Sequence, residues 1–539
     1  MKKRKLLAAV GLSLAVALTA CSGGKTTETS GTTGAAQETS EAAKDVAPIQ
    51  AEENEKKSDK DSMIVAMDRE PASLDPNGNN VVVKRMIDNC LYDTLLKFDE
   101  NLTPVASLAE SWEQVDDTTW KFNLRKDVKF HDGTPLTSKD VLFSFKRLAN
   151  SSNGNNLADH FDPEGYEAPD DYTFILKTTT PYAFVEATLC SPGLAIVPEA
   201  EVEKVGDDAF GRNPVGSGPY KFVSWTAGDS IVIEKNEDYW GDQSILNTIT
   251  FRIITESSSR TIDLESGGID LALSIPNTDA DRIAENADTQ LILHTGATDR
   301  YIALNCQSDV LKDVRVRQAL NYATDSESIR QVCYGADTSE PMLSVVPSTL
   351  QGYRSDLEQY GYDIDKAKSL LEEAGYGDGL TVEFKYLASS TNNMLAELLQ
   401  QMWGQVGVTL ELNPTESGTL TSALNKGDFD ICCAGTNFPL MEAGAGLYDM
   451  FHTSSMYSGN DRSELSDPEV DAVLDQVIVT TDADERAKLV EQAQELIHAD
   501  APFIYLAYTK SIVGASSKLR GFDPTPTSMY DFRTVYFVE

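Results

Sequence analysis

Residues 255–270 and 415–430 carry one pattern twice, and this duplication limits the possible folds more than any other feature of the chain. Thr255, Glu256, Ser257, Thr261, Leu264, Gly267 and Asp270 recur as Thr415, Glu416, Ser417, Thr421, Leu424, Gly427 and Asp430, each displaced by 160 residues. Each copy fits a helix that stops at a glycine and feeds a strand, 269–275 or 429–434. The duplication predicts two similar α/β lobes, each turning the same helix-to-strand corner. With two copies at so long a period, a solenoid is excluded. Two lobes imply a cleft, a common place for a small ligand.

The length of 539 residues suggests about three or four domains, or two large lobes with an insertion. Its formal net charge of −40 argues against a nucleic-acid partner, because phosphate binding needs a basic surface. The seven cysteines contain no Cys-x-x-Cys pair, and the five histidines lack the i, i+4 spacing of a helical metal site. No cofactor or metal is therefore expected. The adjacent Cys432 and Cys433 read as small buried side chains of a strand.

Lys2, Lys3, Arg4 and Lys5 precede an apolar run, 6–17, that is short for a membrane-spanning helix. Leu18-Thr19-Ala20-Cys21 follows, and the whole resembles a bacterial lipoprotein signal. The resemblance implies cleavage after residue 20 and acylation of Cys21, which would anchor the protein to the outer face of the cell membrane. An ordinary secretory peptide with an incidental cysteine is the alternative. Residues 21–60 are poor in large apolar side chains and read as a disordered tether with a reach of roughly 35 Å.

Beyond the tether, 63–67 reads as a strand, and Leu74-Asp75-Pro76 with Asn77-Gly78-Asn79-Asn80 as a break and loop. Short alternating strands around Trp112, Trp120 to Leu124 and Val128 to Phe130 precede a helix with Val141, Phe145 and Leu148 on one side. This looks like a small mixed subdomain inserted in the first lobe. In the second lobe, Asp363 caps a helix ending at Gly375. A strand with Leu380, Val382, Phe384 and Tyr386, a helix with Leu395, Leu398 and Leu399, and a strand with Val408, Leu410 and Leu412 form a βαβ unit.

Several motifs resemble those of extracellular solute-binding protein family 5, the peptide-binding proteins of ABC importers. They are Leu102-Thr103-Pro104, Leu108-Ala109-Glu110-Ser111-Trp112, Phe130-His131-Asp132-Gly133-Thr134-Pro135, Asn213-Pro214-Val215-Gly216-Ser217-Gly218-Pro219-Tyr220, Asn236 with Tyr239-Trp240, and Asp313-Val314-Arg315-Val316-Arg317-Gln318-Ala319-Leu320. By residue chemistry, Gly216, Gly218 and Pro219 suit a tight bend with unusual backbone, and Asp132-Gly133 a turn.

The resemblance implies a two-lobe periplasmic-binding-protein-like (type II) α/β fold, with an α+β subdomain inserted in the first lobe. The expected layout is 61–97 in lobe I, 98–190 inserted, 191–298 in lobe I, 299–508 in lobe II and 509–539 returning to lobe I. The chain would cross between lobes near 299–304 and 505–510. A monomer would capture a small solute, such as a short peptide, and pass it to permease subunits in the membrane. Such relatives hold an extended peptide between two loops, here near Asn79 and Asn80 and at Gly435, Thr436, Asn437 and Phe438. Thr436 stands where relatives commonly carry Trp, and the Asp that captures the peptide amine is missing. Glu442 is the nearest carboxylate and the candidate anchor, or else a residue of a solvated helix. Phe438 either packs on the ligand or fills the core.

A sugar, an opine-like compound or a metal chelate are alternative solutes. A tethered hydrolase is the rival from another class. It has no Gly-x-Ser-x-Gly or His-Glu-x-x-His, and its sole Ser-x-x-Lys, Ser22 with Lys25, lies in the tether. The expectation is a binding protein and not an enzyme.

Overall fold

The computed structural model describes residues 45–52, 55–78, 82–151, 158–436, 438, 440–458, 462–526 and 529–539. The signal segment, Cys21 and the tether up to residue 44 lie outside them. One mixed sheet runs through both lobes. Its strand order is Val408–Thr415, Leu380–Leu387, Ile431–Ala434, Thr289–Leu304, Phe503–Ser516, Leu271–Ala272, Ser62–Met67, Thr248–Ile253, Ser230–Lys235 and Tyr220–Thr226.

The duplication extends past the sixteen matched residues. The elements Thr248–Ile253, Ser257–Glu265 and Leu271–Ala272 begin 160 residues before Val408–Thr415, Ser417–Leu424 and Ile431–Ala434. In each lobe the outer two strands lie parallel to a central one, Ser62–Met67 or Leu380–Leu387. The corner chemistry is repeated too. Gly267 and Gly427 adopt φ of 72° and 66°, where a side chain would be strained. Asp270 Oδ2 accepts the Ile64 N–H at 2.9 Å, and Asp430 Oδ2 accepts the Glu383 N–H at 2.9 Å. Each carboxylate thus pins its lobe's central strand to the corner, which accounts for the repeated aspartate.

The first lobe's strand after the corner is only Leu271–Ala272, shorter than the expected 269–275. The two crossings are halves of two long strands. Thr289 to Thr295 pairs with Lys510 to Ser516, and Asp299 to Ala303 with Phe503 to Tyr508, with a register shift between Thr295 and Asp299 where the two stretches meet and another between Arg300 and Tyr301 within the second. Gly514 and Ala515 also pair with the first lobe's Leu271–Ala272, whereas Tyr301 to Leu304 pair with the second lobe's Ile431–Ala434. Each long strand therefore changes lobes at the irregularity. On the first crossing this falls at 295–299, slightly before the expected segment.

Residues 45–52 and 55–60 depart from the expectation of a free tether. Val46 bridges Leu293, Lys57 bridges Val538, and Arg520 pairs with Glu55. Asp45 Oδ1 accepts from the Thr295 N–H at 3.0 Å and from Lys510 Nζ at 2.7 Å, so the segment fastens where the strands change lobes. Backbone pairing and charge hold this stretch, whereas composition registers only its lack of apolar side chains.

The inserted subdomain contains an antiparallel sheet in the order Ala109–Asp116, Thr119–Leu124, Thr173–Lys177, Glu167–Asp170. The helix Ser138–Ala149 covers it, with Phe145 packed on Phe161, Tyr166 and Phe174. His131 joins two of the sequence motifs. Its Nδ1 accepts the Gly216 N–H at 3.1 Å, and its Nε2 lies 3.1 Å from the Gly218 carbonyl. The ring must therefore be neutral with the proton on Nε2. Burial lowers its pKa to about 4, opposed by the Gly218 hydrogen bond. A folded pKa below the unfolded value means that this clasp contributes full stability above about pH 6.5 and loses it as pH falls toward 4. Histidine NMR should show His131 neutral down to about pH 4.

Glycine is needed at 216 and 218 for a reason other than the expected unusual backbone, since neither has a positive φ. A Cβ at 216 would sit 1.9 Å from the Leu91 carbonyl oxygen, and one at 218 would sit 2.6 Å from that of Cys90. The loop presses against the end of the helix Val82–Leu91. Gly133, by contrast, does occupy a turn with φ of 88°.

Candidate functional site

Two loops expected to hold a solute come from different lobes, and each is tied to its neighbours by a charged side chain. The first follows Leu74-Asp75-Pro76. Arg147 of the inserted helix grips Asp75 through both carboxylate oxygens and donates to Asn77 Oδ1 at 3.1 Å. Asn77 Nδ2 in turn donates to the carbonyls of Gly193 and Ala195 at 3.2 and 3.3 Å. The loop's base is thus held by the inserted subdomain and the 192–195 turn. Asn79 and Asn80, the expected ligand residues, lie outside the described residues.

The second loop leaves the strand Ile431–Ala434 and runs against the crossing strand. A Cβ at Gly435 would lie 2.2 Å from Arg300 Nη1 and 2.4 Å from the Asp299 carbonyl oxygen, so only glycine fits. The Thr436 N–H donates to Asp299 Oδ1, and its carbonyl accepts the Asp299 N–H at 3.1 Å. The Thr436 backbone thus serves the crossing strand. Its hydroxyl lies beside that of Tyr301. Asn437 lies outside the described residues. Phe438 is 1% exposed and packs against Gly446, whose Cβ would sit 2.3 Å from the ring. Its ring fills the core and fastens the loop to the helix Ala443–Phe451.

Glu442 precedes that helix, partly buried, with a carboxylate oxygen 3.9 Å from Arg486 Nη2. Burial raises its pKa, and Arg486 opposes the shift. Arg486 also donates to the Thr480 and Thr481 carbonyls at 2.9 and 3.1 Å. Glu442 therefore already faces a fixed guanidinium, which weakens it as an anchor for a solute amine.

Asp299 was not singled out by its sequence context. It is fully buried, and among the described residues Oδ2 has no hydrogen-bond partner. Burial raises its pKa to about 7, against the Thr436 N–H and Arg300. The Tyr301 hydroxyl, two residues on, is buried as well, with the Thr436 hydroxyl beside it. Arg147, equally unforeseen, carries no sequence signal, because its partners lie 72 and 60 residues away. The repeated hydrophobic spacing around Asp299 marks a strand and says nothing of which carboxylate lacks a partner.

The seam beyond the loop is packed. The inserted subdomain's Phe184 and Val185 share one apolar cluster with Leu447 and Val477 of the second lobe, and the Ala183 N–H donates to the Ile478 carbonyl at 2.8 Å. The described arrangement therefore has the two lobes in contact. A separate cavity of about 410 Å³ is lined by Asp88, Asp93, Tyr220, Tyr239 and Arg533, among other residues, none from the second lobe. A solute there would touch one lobe only and would have no differential affinity for a shut arrangement.

Comparison with known proteins places these features in a family. The model for bacterial extracellular solute-binding proteins, family 5, matches residues 103–458. The glutathione-binding protein GsiB of Pectobacterium atrosepticum is 30% identical over 88% of this chain and 94% of its own length. Heme-binding protein A of Haemophilus influenzae is 29% identical over 81% of this chain and 85% of its own length. The ABC transporter-associated periplasmic binding protein DppA of Helicobacter pylori, solved with the peptide STSA, superimposes with a TM-score of 0.79. It is 26% identical and covers 89% of this chain and 98% of that one. With its two α/β lobes strung on two shared strands, the chain belongs to the bacterial extracellular solute-binding proteins of family 5.

Proposed function

We propose that this extracytoplasmic binding protein captures a short peptide or peptide-like solute between its lobes and delivers it to the permease of an ABC importer. The observation that carries the reading is the pair of long strands that change lobes at 295–299 and 508–510. They form a two-stranded hinge with the Gly435-Thr436 loop bonded directly to it. A solute touching both lobes favours the shut state through its differential affinity. Acylation of Cys21 would keep the body near its permease, and the monomer would act alone. The 77–81 and 435–442 stretches would supply the contacts, with Asn79, Asn80 and Asn437 as side-chain donors and acceptors and the Thr436 hydroxyl beside them. The domain boundaries expected from the sequence belong to this proposal, with the hinge moved to the observed irregularity.

The related proteins are named for glutathione and heme as well as a tetrapeptide complex, so a non-peptide solute is the second reading. A thermal-shift screen of residues 45–539 against peptides, sugars and metal chelates separates the two. Ligand at a hundredfold excess over Kd stabilises by about 2.7 kcal/mol, a rise of several degrees. A response to a sugar or chelate with silence from every peptide would overturn the peptide reading.

A further inference from the structure

We propose that Asp45, Lys510 and Glu340 form a charge bridge across the hinge, and that the amino-terminal segment is a strap whose leading end completes it, favouring the arrangement with the lobes in contact. The proposal rests on the reading that the lobes part and shut around a solute, and adds a device that biases this movement.

The strap is fastened to the first lobe along its length. Val46 and Leu293 exchange both backbone hydrogen bonds, at 2.9 and 3.0 Å, and the Ile49 N–H donates to Gln290 Oε1 at 2.8 Å. Further on, Glu55 pairs with Arg520, the Ser58 N–H donates to the Phe537 carbonyl at 2.8 Å, and Lys60 pairs with the corner Asp270. The leading end reaches the hinge itself. Asp45 Oδ1 accepts from the Thr295 N–H at 3.0 Å and from Lys510 Nζ at 2.7 Å. Thr295 is the last residue paired before the register shift, so the carboxylate supplies an acceptor where the ladder breaks.

Glu340 approaches the same ammonium from the second lobe. Its Oε1 lies 3.3 Å from Lys510 Nζ and 3.0 Å from the Thr295 hydroxyl. It sits on the strand Ser339–Pro341, which pairs with Ala507 to Thr509. The Lys510 side chain is 1% exposed, and a buried ammonium needs counter-charge. Here one carboxylate comes from each lobe's side. Burial by itself would raise the Asp45 carboxyl, yet Lys510 and Thr295 hold it below its ordinary value, so it is ionised at neutral pH. His294 stands 3.8 Å from Asp45 Oδ2, and burial keeps it neutral, which leaves Lys510 as the shared cation.

Parting the lobes at the register shift moves Asp45 and Thr295 against Glu340. One flexible lysine can follow either carboxylate but not both, so opening costs a charge-assisted hydrogen bond. Without one of the carboxylates, Lys510 stays with the other throughout, and that cost disappears.

The test reads amide hydrogen exchange in the ligand-free chain from residue 22, as wild type, Asp45→Ala, Glu340→Gln and the double variant. The Ala183 N–H, which donates to the Ile478 carbonyl across the seam, reports parting of the lobes. The Asn236 N–H, bonded to the Pro219 carbonyl, and the Glu383 N–H, bonded to Asp430, report unfolding within either lobe. Each single variant should speed exchange at Ala183 about tenfold and leave Asn236 and Glu383 unchanged. The double variant should exceed neither single, because both cut the same bridge. Unchanged exchange at Ala183, equal acceleration at all three amides, or additive effects in the double variant would each overturn the bridge. No peptide enters the measurement, so these outcomes leave peptide capture standing, and silence in a peptide screen leaves the bridge to be judged on Ala183.

Discussion

Replacing Arg147 with alanine is expected to destabilise the protein by about 3–5 kcal/mol, well beyond what truncating a solvent-exposed ion pair would cost. Arg147 joins three elements that are distant in the chain. It grips Asp75 with two nitrogens, donates to Asn77, and reaches Asp207 at 2.7 Å. The Asp75 side chain is 10% exposed, so removal of the cation leaves a carboxylate largely out of water without a counter-charge. Asn77 loses its donor as well, and the 75–78 turn loses its tie to the inserted helix. Urea unfolding should show the loss as a lower midpoint with an unchanged slope. Arg147→Lys should recover only part, because an ammonium cannot bridge two carboxylates in the fork geometry. Arg147→Met combined with Asp75→Asn should recover more than Arg147→Met alone, since the neutral pair leaves no buried charge. Solute affinity should fall in Arg147→Ala even where the protein remains folded, because the loop carrying Asn79 and Asn80 loses its base.

The second large effect is expected at Gly216. Alanine there places a Cβ 1.9 Å from the Leu91 carbonyl oxygen and 2.8 Å from the Tyr92 ring. The close neighbour is the backbone at a helix end, which cannot swing aside as a flexible side chain can. Overpacking of this kind costs about 1–3 kcal/mol. A displaced loop also breaks the His131 clasp at Gly216 and Gly218, and each lost hydrogen bond adds about 1 kcal/mol. We expect roughly 3 kcal/mol for Gly216→Ala in denaturant unfolding. Gly133→Ala is the control. Its φ of 88° carries strain, but no atom lies within 4 Å of the new methyl group, so about 1 kcal/mol is expected. A loss at Gly216 no larger than at Gly133 would show that the loop yields freely.

The two lobes share more than a common architecture. Asp270 and Asp430 perform the same task, bonding the backbone of a central strand, and each follows the same helix and glycine. Each lobe also borrows a different long strand as its antiparallel neighbour, Phe503–Ser516 in the first and Thr289–Leu304 in the second. The crossing strands therefore belong to the cores of both lobes, and their pairing is irregular between Thr295 and Asp299 and again between Arg300 and Tyr301.

Local chemistry was enough to predict much of this protein. Spacing of apolar residues and the helix-ending glycines marked the duplicated corner, the βαβ unit of the second lobe and the inserted subdomain, because such signals act within one or two turns of chain. The cap of the helix Ile364–Glu373 by Asp363, with Gly375 at φ of 90°, is of the same kind. Contacts between distant segments were settled only by the tertiary structure. Whether Phe438 met a solute or the core depended on Gly446. Whether Glu442 stood free depended on Arg486, 44 residues on. Asp299 Oδ1 is satisfied by the Thr436 loop, whereas no described residue satisfies Oδ2, a property of the surroundings that no sequence pattern encodes. Chain-local forces choose helices, turns and strands, whereas burial and partnership of a charge arise only when remote segments meet.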